Sequence, residues 1–374
     1  MATIEAYETK AGRRYRVRYR TPEHRSTDKR GFKTKRDADA FAATVEVSKL
    51  RGEYIDTAAS RTTVGQLGPE WLGRQSHLKP SSLRPVESAW HVHVEKRWGD
   101  VAVSDIRRTA VQQWVADLGG KRGATTVIRA YGVLAAILDD AVADRRLLSN
   151  PARGVKLPRK VQKPHVYLSH QQVHALANAS THPVLVLTLA YCGLRWGEAA
   201  GMQVKHLDML RRRINLERNA VEVGGIFEVG TLKSHKRRSV PFPAFLAELL
   251  GRQCEGKDRD DLVFPGPDNT YLRQPRVRSG KDAEERARDS WFSSALKSAD
   301  LPRITAHGLR HTAASFAVSA GANVKVVQRM LGHSSAAMTL DVYADLFDED
   351  LNAVADRLDE AVSAQIVGKT WAND

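Results

Sequence analysis

The chain has 374 residues, 42% of them hydrophobic and 27% charged, with 58 Lys and Arg against 43 Asp and Glu for a formal net charge of +15. That length allows two or three domains with separate cores, the composition is that of a globular protein, and so positive a surface favours a polyanion, nucleic acid first. Two isolated cysteines, Cys192 and Cys254, argue against a disulfide framework or zinc cluster, no secretory h-region opens the chain, and no apolar run reaches the roughly 18–20 residues of a membrane span, so a soluble, cytoplasmic protein is expected.

Residues 1 to about 58 begin with a period-two alternation, in which Tyr15, Val17 and Tyr19 are interleaved with Arg14, Arg16, Arg18 and Arg20. That pattern predicts a half-exposed strand with an arginine outer face, a geometry suited to phosphate contact or groove reading. The surrounding stretch, Lys10 to Arg36, holds twelve Lys or Arg against Glu23 and Asp28. Thr34 is the predicted N-cap of a helix from Lys35 to Arg51, with Ala38, Phe41, Ala42, Val45 and Leu50 inward.

Residues 62–157 read as helices with short polar joints. Thr63 starts one carrying Leu67, Trp71 and Leu72; Ser81 or Ser82 caps the next; Thr109 caps one with Val111, Trp114, Val115 and Leu118. Thr125 begins the longest, with Val127, Ala130, Val133, Leu134, Ile137, Leu138 and Val142 at helical spacing. Asn150-Pro151 stops the pattern, and residues 154–164 read as a basic linker, either a flexible joint or a tether lying against DNA.

From about 165 the texture is mixed. Helices are predicted over 169–179, 183–191 and 195–202, strands over Arg213–Arg218, Ile226–Val229 and Arg238–Pro241, then helices near 290–299, 306–320, 323–331 and 334–345. A last amphipathic helix around 350–364 carries Leu351, Val354, Ala355, Leu358 and Val362 on one stripe, suited to docking on a neighbouring subunit or to packing on its own domain. The expected fold class is mixed and mainly α. It comprises a small α+β N-terminal domain (1–58), an all-helical domain (62–157) and a mainly helical domain with a small antiparallel sheet (165–374).

Three segments of the last region suit attack on a phosphodiester, whose transition state needs fixed cationic donors, a positioned nucleophile and a proton for the leaving oxygen. Arginine forks meet the first demand without a metal. Arg195 follows a Gly at a helix start in Gly193-Leu194-Arg195-Trp196-Gly197-Glu198, and Glu198 is placed to orient its guanidinium. His307 and Arg310 lie three apart in His307-Gly308-Leu309-Arg310-His311, behind the predicted N-cap Thr305 and beside backbone N–H groups that favour anions. Gly332 ends a helix begun at Asn323 and leaves His333 in a turn, ten residues before Tyr343. The i, i+4 pair His307 and His311 has zinc-ligand spacing, but position 308 is not Glu and Arg310 lies between them, so no metal site is expected. Tyr131, Tyr191 and Tyr271 read as structural.

This ordered set resembles the tyrosine recombinase, or phage integrase, family over roughly residues 165–350: His-x-Leu-Arg-His, Leu-Gly-His, a Tyr ten residues on, and Gly-Leu-Arg-x-Gly-Glu with its Arg 112 residues upstream of His307. The resemblance implies that Arg195 and Arg310 clamp the scissile phosphate and that Tyr343 forms a 3′-phosphotyrosyl bond. It implies that His307 assists proton transfer, that His333 hydrogen-bonds a phosphate oxygen, and that Glu198 and His311 support them. A hairpin lysine, Lys233 or else Lys236, would protonate the 5′-hydroxyl leaving group. The 62–157 region resembles the family's core-binding domain, and residues 1–58, with Arg14, Arg16, Arg18 and Arg20, its arm-binding domain. A homotetramer on double-stranded DNA is implied, with core-type and arm-type sites, no cofactor or metal, and accessory DNA-bending or directionality proteins as further partners. The basic N-terminal extension favours a phage or mobile-element integrase. The alternatives are a transposon or chromosome-dimer recombinase, a type IB topoisomerase-like nicking enzyme, a His-based metallonuclease, and a catalytically silent protein that pairs DNA sites.

Overall fold

The computed structural model describes residues 2–22, 24–55, 59–161, 164–231, 237–275, 290–346, 355–356 and 358–363. It divides into two compact units, Met1–Gln162 and Lys163–Asp374.

The first unit holds two separate cores. Strands β1 (Thr3–Thr9), β2 (Gly12–Arg20) and β3 (Ser26–Phe32) form an antiparallel sheet in the order β1-β2-β3. Helix α1 (Lys35–Leu50) packs on it, capped by the Thr34 side chain. The alternation in β2 behaves as predicted on its inner side, where Val17 and Tyr19 are buried with Ala38, Val45 and Tyr54. Leu50, expected inward, is 87% exposed. At 3.6 residues per turn it lies about 140° around the helix from Val45, off the inner stripe. The outer side of β2 is not purely cationic: Glu5 on β1 accepts from Arg16 Nε at 2.8 Å and from Arg18 Nη1 at 3.2 Å.

The second core of this unit is all helical. Helix α2 (Val64–Gly73) starts at Thr63, as the sequence predicts, and the start is closed by a capping box between Thr63 and Gln66. Helix α3 (Pro80–Ala89) begins at Pro80, ahead of both candidate caps, because Pro suits the first helical position. A π-turn at Trp90–Val94 joins it to α4 (Glu95–Trp98). Trp90 is wholly buried over Gly68, where a Cβ would come within 2.0 Å of the indole. Helices α5 (Arg108–Gly119) and α6 (Ala124–Ala143) start ahead of the predicted Thr109 cap and Thr125 start, on the extended N-caps Arg107 and Gly123, which lie two residues before those threonines and make no side-chain cap bond. Helix α6 buries Val127, Leu134, Ile137 and Leu138.

The first part of the expected linker belongs to this core. Gln112 Oε1 accepts from Lys156 N at 2.9 Å, Tyr131 OH donates to Ala152 O at 2.8 Å, and Val155 is 8% exposed. Paired backbone and a buried valine hold the chain as far as Leu157, which packs on the same cluster.

The second unit is built round α8 (Pro183–Cys192), which buries residues on every side and is flanked by α7 (His170–Asn178) and α10 (Ala244–Gln253). Short α9 (Trp196–Ala200) follows α8. Strands β4 (Leu207–Asp208), β5 (Arg213–Leu216) and β8 (Arg238–Pro241) make one antiparallel sheet, and β6 (Arg218–Val223) with β7 (Ile226–Thr231) a separate hairpin. The predicted strand 213–218 is therefore divided at Glu217 between two sheets. Helices α11 (Trp291–Ser298), α12 (Ala306–Ser319), α13 (Val324–Leu331) and α14 (Ala336–Tyr343) complete the described unit, apart from helical residues at 355–356 and 358–363. Tyr343 closes a small core with Ala314, Val318, Val327 and Leu331. Of the expected C-terminal stripe, Leu351 and Val354 lie outside the described residues, and Leu358 and Val362 are exposed.

Candidate active site

Two left-handed glycines shape the site. Gly193 (φ +64°) ends α8 and Gly332 (φ +66°) ends α13, and each turns the chain back where another residue would be strained. A Cβ on Gly332 would come within 2.8 Å of the Arg238 guanidinium, so this turn needs glycine for space as well as for conformation.

Arg195 is the N-cap of α9. Its backbone N–H donates to Glu198 Oε2 at 2.8 Å, its Nη1 to Glu198 Oε1 at 2.9 Å, and its Nη2 to the Gly332 carbonyl at 3.0 Å. Glu198 is 1% exposed and is gripped from its other side by Arg238, whose two terminal nitrogens each donate at 2.7 Å. Burial alone would raise the Glu198 carboxyl, but the hydrogen bonds and charge of Arg238, with the charge of Arg195, hold it below the usual carboxylate range. Arg310, 2% exposed on α12, donates Nη1 to Gly193 O at 2.6 Å and Nη2 to Leu331 O at 2.5 Å. Burial and the nearby charges of Arg195 and Arg238 lower it to about 9, which leaves it cationic at neutral pH.

Three guanidinium groups thus converge on consecutive carbonyls at the C-terminus of α13. Arg238 Nε reaches Met330 O at 3.2 Å, Arg310 reaches Leu331 O, and Arg195 reaches Gly332 O. These are the unpaired carbonyls of a helix end, where partial negative charge favours cations. The turn serves as a jig that fixes arginines drawn from three distant parts of the chain.

His333 follows that turn, its Nδ1 3.0 Å from the buried Thr339 hydroxyl and its ring parallel to that of Tyr343, centroids 6.2 Å apart. Tyr343 is 1% exposed, and its hydroxyl is 2.8 Å from His311 Nδ1. Burial pushes the Tyr343 phenol up to about 12, with Arg310 pulling the other way. Burial, reinforced by His165, His307, Arg310 and His333, pushes His311 down to about 3. Burial and the neighbouring arginines lower His333 to about 4. His311 is therefore neutral at physiological pH, and in the tautomer that carries its proton on Nε2 its Nδ1 accepts the phenol hydrogen bond. The exposed His307, one turn earlier on α12, meets the His311 ring edge-on at 5.0 Å.

The described structure therefore brings Arg195, Glu198, Arg310, His311, His333 and Tyr343 around one turn, with His307 beside them. Lys233 and Lys236 lie outside the described residues. In the other unit, Arg14 and Arg16 are half-buried and Arg18 and Arg20 exposed on β2. Among the described residues no group of three or more His, Cys, Asp or Glu is placed to hold a metal, and no helix is long and apolar enough to cross a membrane. Sequence reading missed Arg238, Thr339 and His165, whose ring stacks on His311 at 4.0 Å. The sequence signal for Arg238 was faint: an arginine opening an otherwise uncharged strand. No local pattern marks the other two.

Residues 167–350 match the phage integrase family. Similar proteins include the integrase of prophage phiRv2 of Mycobacterium tuberculosis, 28% identical over 285 residues covering 74% of this chain and 72% of that protein. The integrase of Mycobacterium phage L5 is 27% identical over 76% of this chain and 75% of its own length, and the tyrosine recombinase XerC of Vibrio vulnificus is 27% identical over 66% and 75%. Among solved structures, the Tn1549 transposon integrase in complex with circular intermediate DNA has a TM-score of 0.66 at 21% identity, covering 79% of this chain and 99% of that one. A lambda integrase tetramer bound to a Holliday junction has a TM-score of 0.57 at 15% identity over 88% and 96%. By the family match, by the integrase and recombinase relatives and by the ordered residues around the Leu331–His333 turn, residues 167–350 form a phage integrase family domain of the tyrosine recombinase kind.

Proposed function

We propose that this site-specific tyrosine recombinase cuts DNA through Tyr343 and integrates and excises the DNA of a phage or other mobile element. The observation that carries the reading is the convergence of Arg195 and Arg310 on the turn that also presents His333, beside a hydroxyl held by His311. Each arginine uses part of its fork on the protein, which leaves the remaining N–H donors for phosphate oxygens. In the tautomer whose Nδ1 accepts from the Thr339 hydroxyl, 3.0 Å away, His333 keeps Nε2–H for a third phosphate oxygen.

Attack by the Tyr343 oxygen on phosphorus forms the 3′-phosphotyrosyl bond and breaks the bond to the 5′ oxygen. The phenolic proton passes to His307 or to water, and the leaving oxygen gains its proton from Lys233, or alternatively Lys236. Because the phosphotyrosyl ester conserves the phosphodiester, a 5′-hydroxyl of the partner duplex reverses the chemistry and reseals the strand. No cofactor enters this scheme.

The partner is double-stranded DNA, with four copies acting on two duplexes, in the manner of the lambda integrase tetramer bound to a Holliday junction. Residues 62–157 would hold core-type sites and residues 1–58, through Arg14, Arg16, Arg18 and Arg20, arm-type sites; accessory bending or directionality proteins and C-terminal helix exchange between subunits belong to the same reading. The integrase relatives from mycobacterial phages and a prophage favour a mobile-element role over chromosome-dimer resolution.

The test uses nicked suicide duplexes carrying the attachment sequence, with EDTA present, resolved on a denaturing gel. Wild type should form a covalent protein–DNA band and Tyr343→Phe none, while both shift the DNA under native conditions. A band of equal intensity from Tyr343→Phe would remove Tyr343 from the reaction, and binding without covalent product in either protein would favour a silent site-pairing role.

A further inference from the structure

His165 has no part in the scheme above, yet its ring lies against the residue that holds the nucleophile. Its imidazole stacks on His311 with centroids 4.0 Å apart and planes 27° apart, and is 6.2 Å from the Tyr343 ring. The segment that carries it is pinned along α12: Leu168 N donates to the buried Thr312 hydroxyl at 3.2 Å, and Tyr167 packs on the core that Tyr343 closes. His165 thus belongs to an anchored strip of chain, and its place on His311 is not that of a loose surface side chain.

We propose that His165 is a positioning residue for Tyr343, a stacking partner that keeps His311 in the neutral form whose Nδ1 holds the phenol hydroxyl. The catalytic meaning of this contact rests on the reading of Tyr343 as nucleophile. A histidine accepts the phenol hydrogen bond at Nδ1 only while that nitrogen is unprotonated. His311 is faced by His165 from the segment before α7, by His307 and Arg310 from its own helix, by His333 from the turn after α13, and by Tyr343 from α14. Of the ring contacts to His311 among the described residues, that of His165 is stacked, whereas those of His307 and Tyr343 are T-shaped. The stacked ring covers His311 at 4.0 Å and places a second imidazole where two positive charges would repel. Loss of the stack admits water, lets His311 take a proton nearer its ordinary range, and turns Nδ1 from acceptor to donor. The phenol then loses its anchor in mildly acidic solution. A phenylalanine at 165 would retain the cover without the second imidazole, so it separates stacking from a mere need for histidine.

The decisive measurement is the titration of His311 by NMR in the full-length, DNA-free protein with labelled histidine, its signal assigned with His311→Gln. In wild type His311 should stay neutral, with Nδ1 unprotonated, to below about pH 5. In His165→Ala its midpoint should rise by at least one pH unit, a tenfold change in proton affinity, and in His165→Phe most of the wild-type behaviour should remain. An unmoved midpoint in His165→Ala overturns the proposal, as does a Phe variant that titrates like the Ala variant. The suicide-substrate assay supplies the second arm. The acid limb of the covalent-product rate should move to higher pH in His165→Ala by the same amount, with native DNA binding unchanged, and a limb that stays in place while the His311 midpoint moves also overturns the positioning role. If Tyr343→Phe still forms the covalent band, the nucleophile assignment fails, while the NMR titration still decides whether His165 governs His311.

Discussion

At the residue scale the site depends on one buried carboxylate. Glu198 neutralises Arg195 and Arg238 together, and removing one partner of a buried pair typically costs about 3–5 kcal/mol because charge is left behind. Glu198→Gln should therefore lower the urea-unfolding free energy by about 3 kcal/mol at pH 7 and slow covalent-product formation at least tenfold. The sign with pH follows from the lowered carboxyl. Its stabilising contribution is complete above the ordinary value of 4.5 and is lost as pH falls through the lower folded value, so the gap between wild type and Glu198→Gln should narrow in acid. A gap that stays constant down to acid unfolding would mean that charge is not what Glu198 supplies. The pairing of Glu198 with Arg195 was legible because the two residues are three apart at one helix start. Arg238 comes from 40 residues downstream on β8, and only the packing of β8 on the end of α13 brings it to the carboxylate. His165 was invisible for the same reason: its stack on His311 joins chain positions that no local periodicity relates.

At the element scale, patterns with one driving force were read well and those with two were not. Strand β2 alternates because its inner residues must be buried, and Val17 and Tyr19 are. The expected arginine face is modified by Glu5 on the neighbouring strand, a pairing that depends on register. Arg20, exposed at the end of β2, is the plainest candidate for a phosphate contact there. Arg20→Ala should weaken arm-type DNA binding at every sequence alike and reduce the slope of log K against log salt by about one. An unchanged slope would take Arg20 off the DNA. Helix starts show the same division: Thr34 and Thr305 cap where predicted and Thr63 and Asn323, expected to open their helices, are their N-caps, whereas Thr109 and Thr125 fall inside the first turn of helices begun on Arg107 and Gly123. A threonine two residues late satisfies the same local pattern, and packing of the helix chooses between the two starts.

At the scale of the whole molecule, separate cores imply separate melting. Leu134 is fully buried in the helical core of the first unit, and Leu189 is 1% exposed in the core of the second. Each Leu→Ala change should cost about 2–5 kcal/mol. In calorimetry Leu134→Ala should lower one transition and Leu189→Ala another, and a single transition shifted equally by both would show that the units unfold together. Sequence by itself determined the class of the fold, the order of its helical and mixed regions, and the motif residues of the site, because these rest on periodicity and on short spacings that the backbone enforces. The tertiary structure alone decided which carbonyls anchor the arginines, that Arg238 completes the Glu198 pair, that the linker is pinned as far as Leu157, and that His165 covers His311. Such contacts join residues tens of positions apart, and only burial of the cores between them fixes the distances at which a hydrogen bond or a ring stack can form.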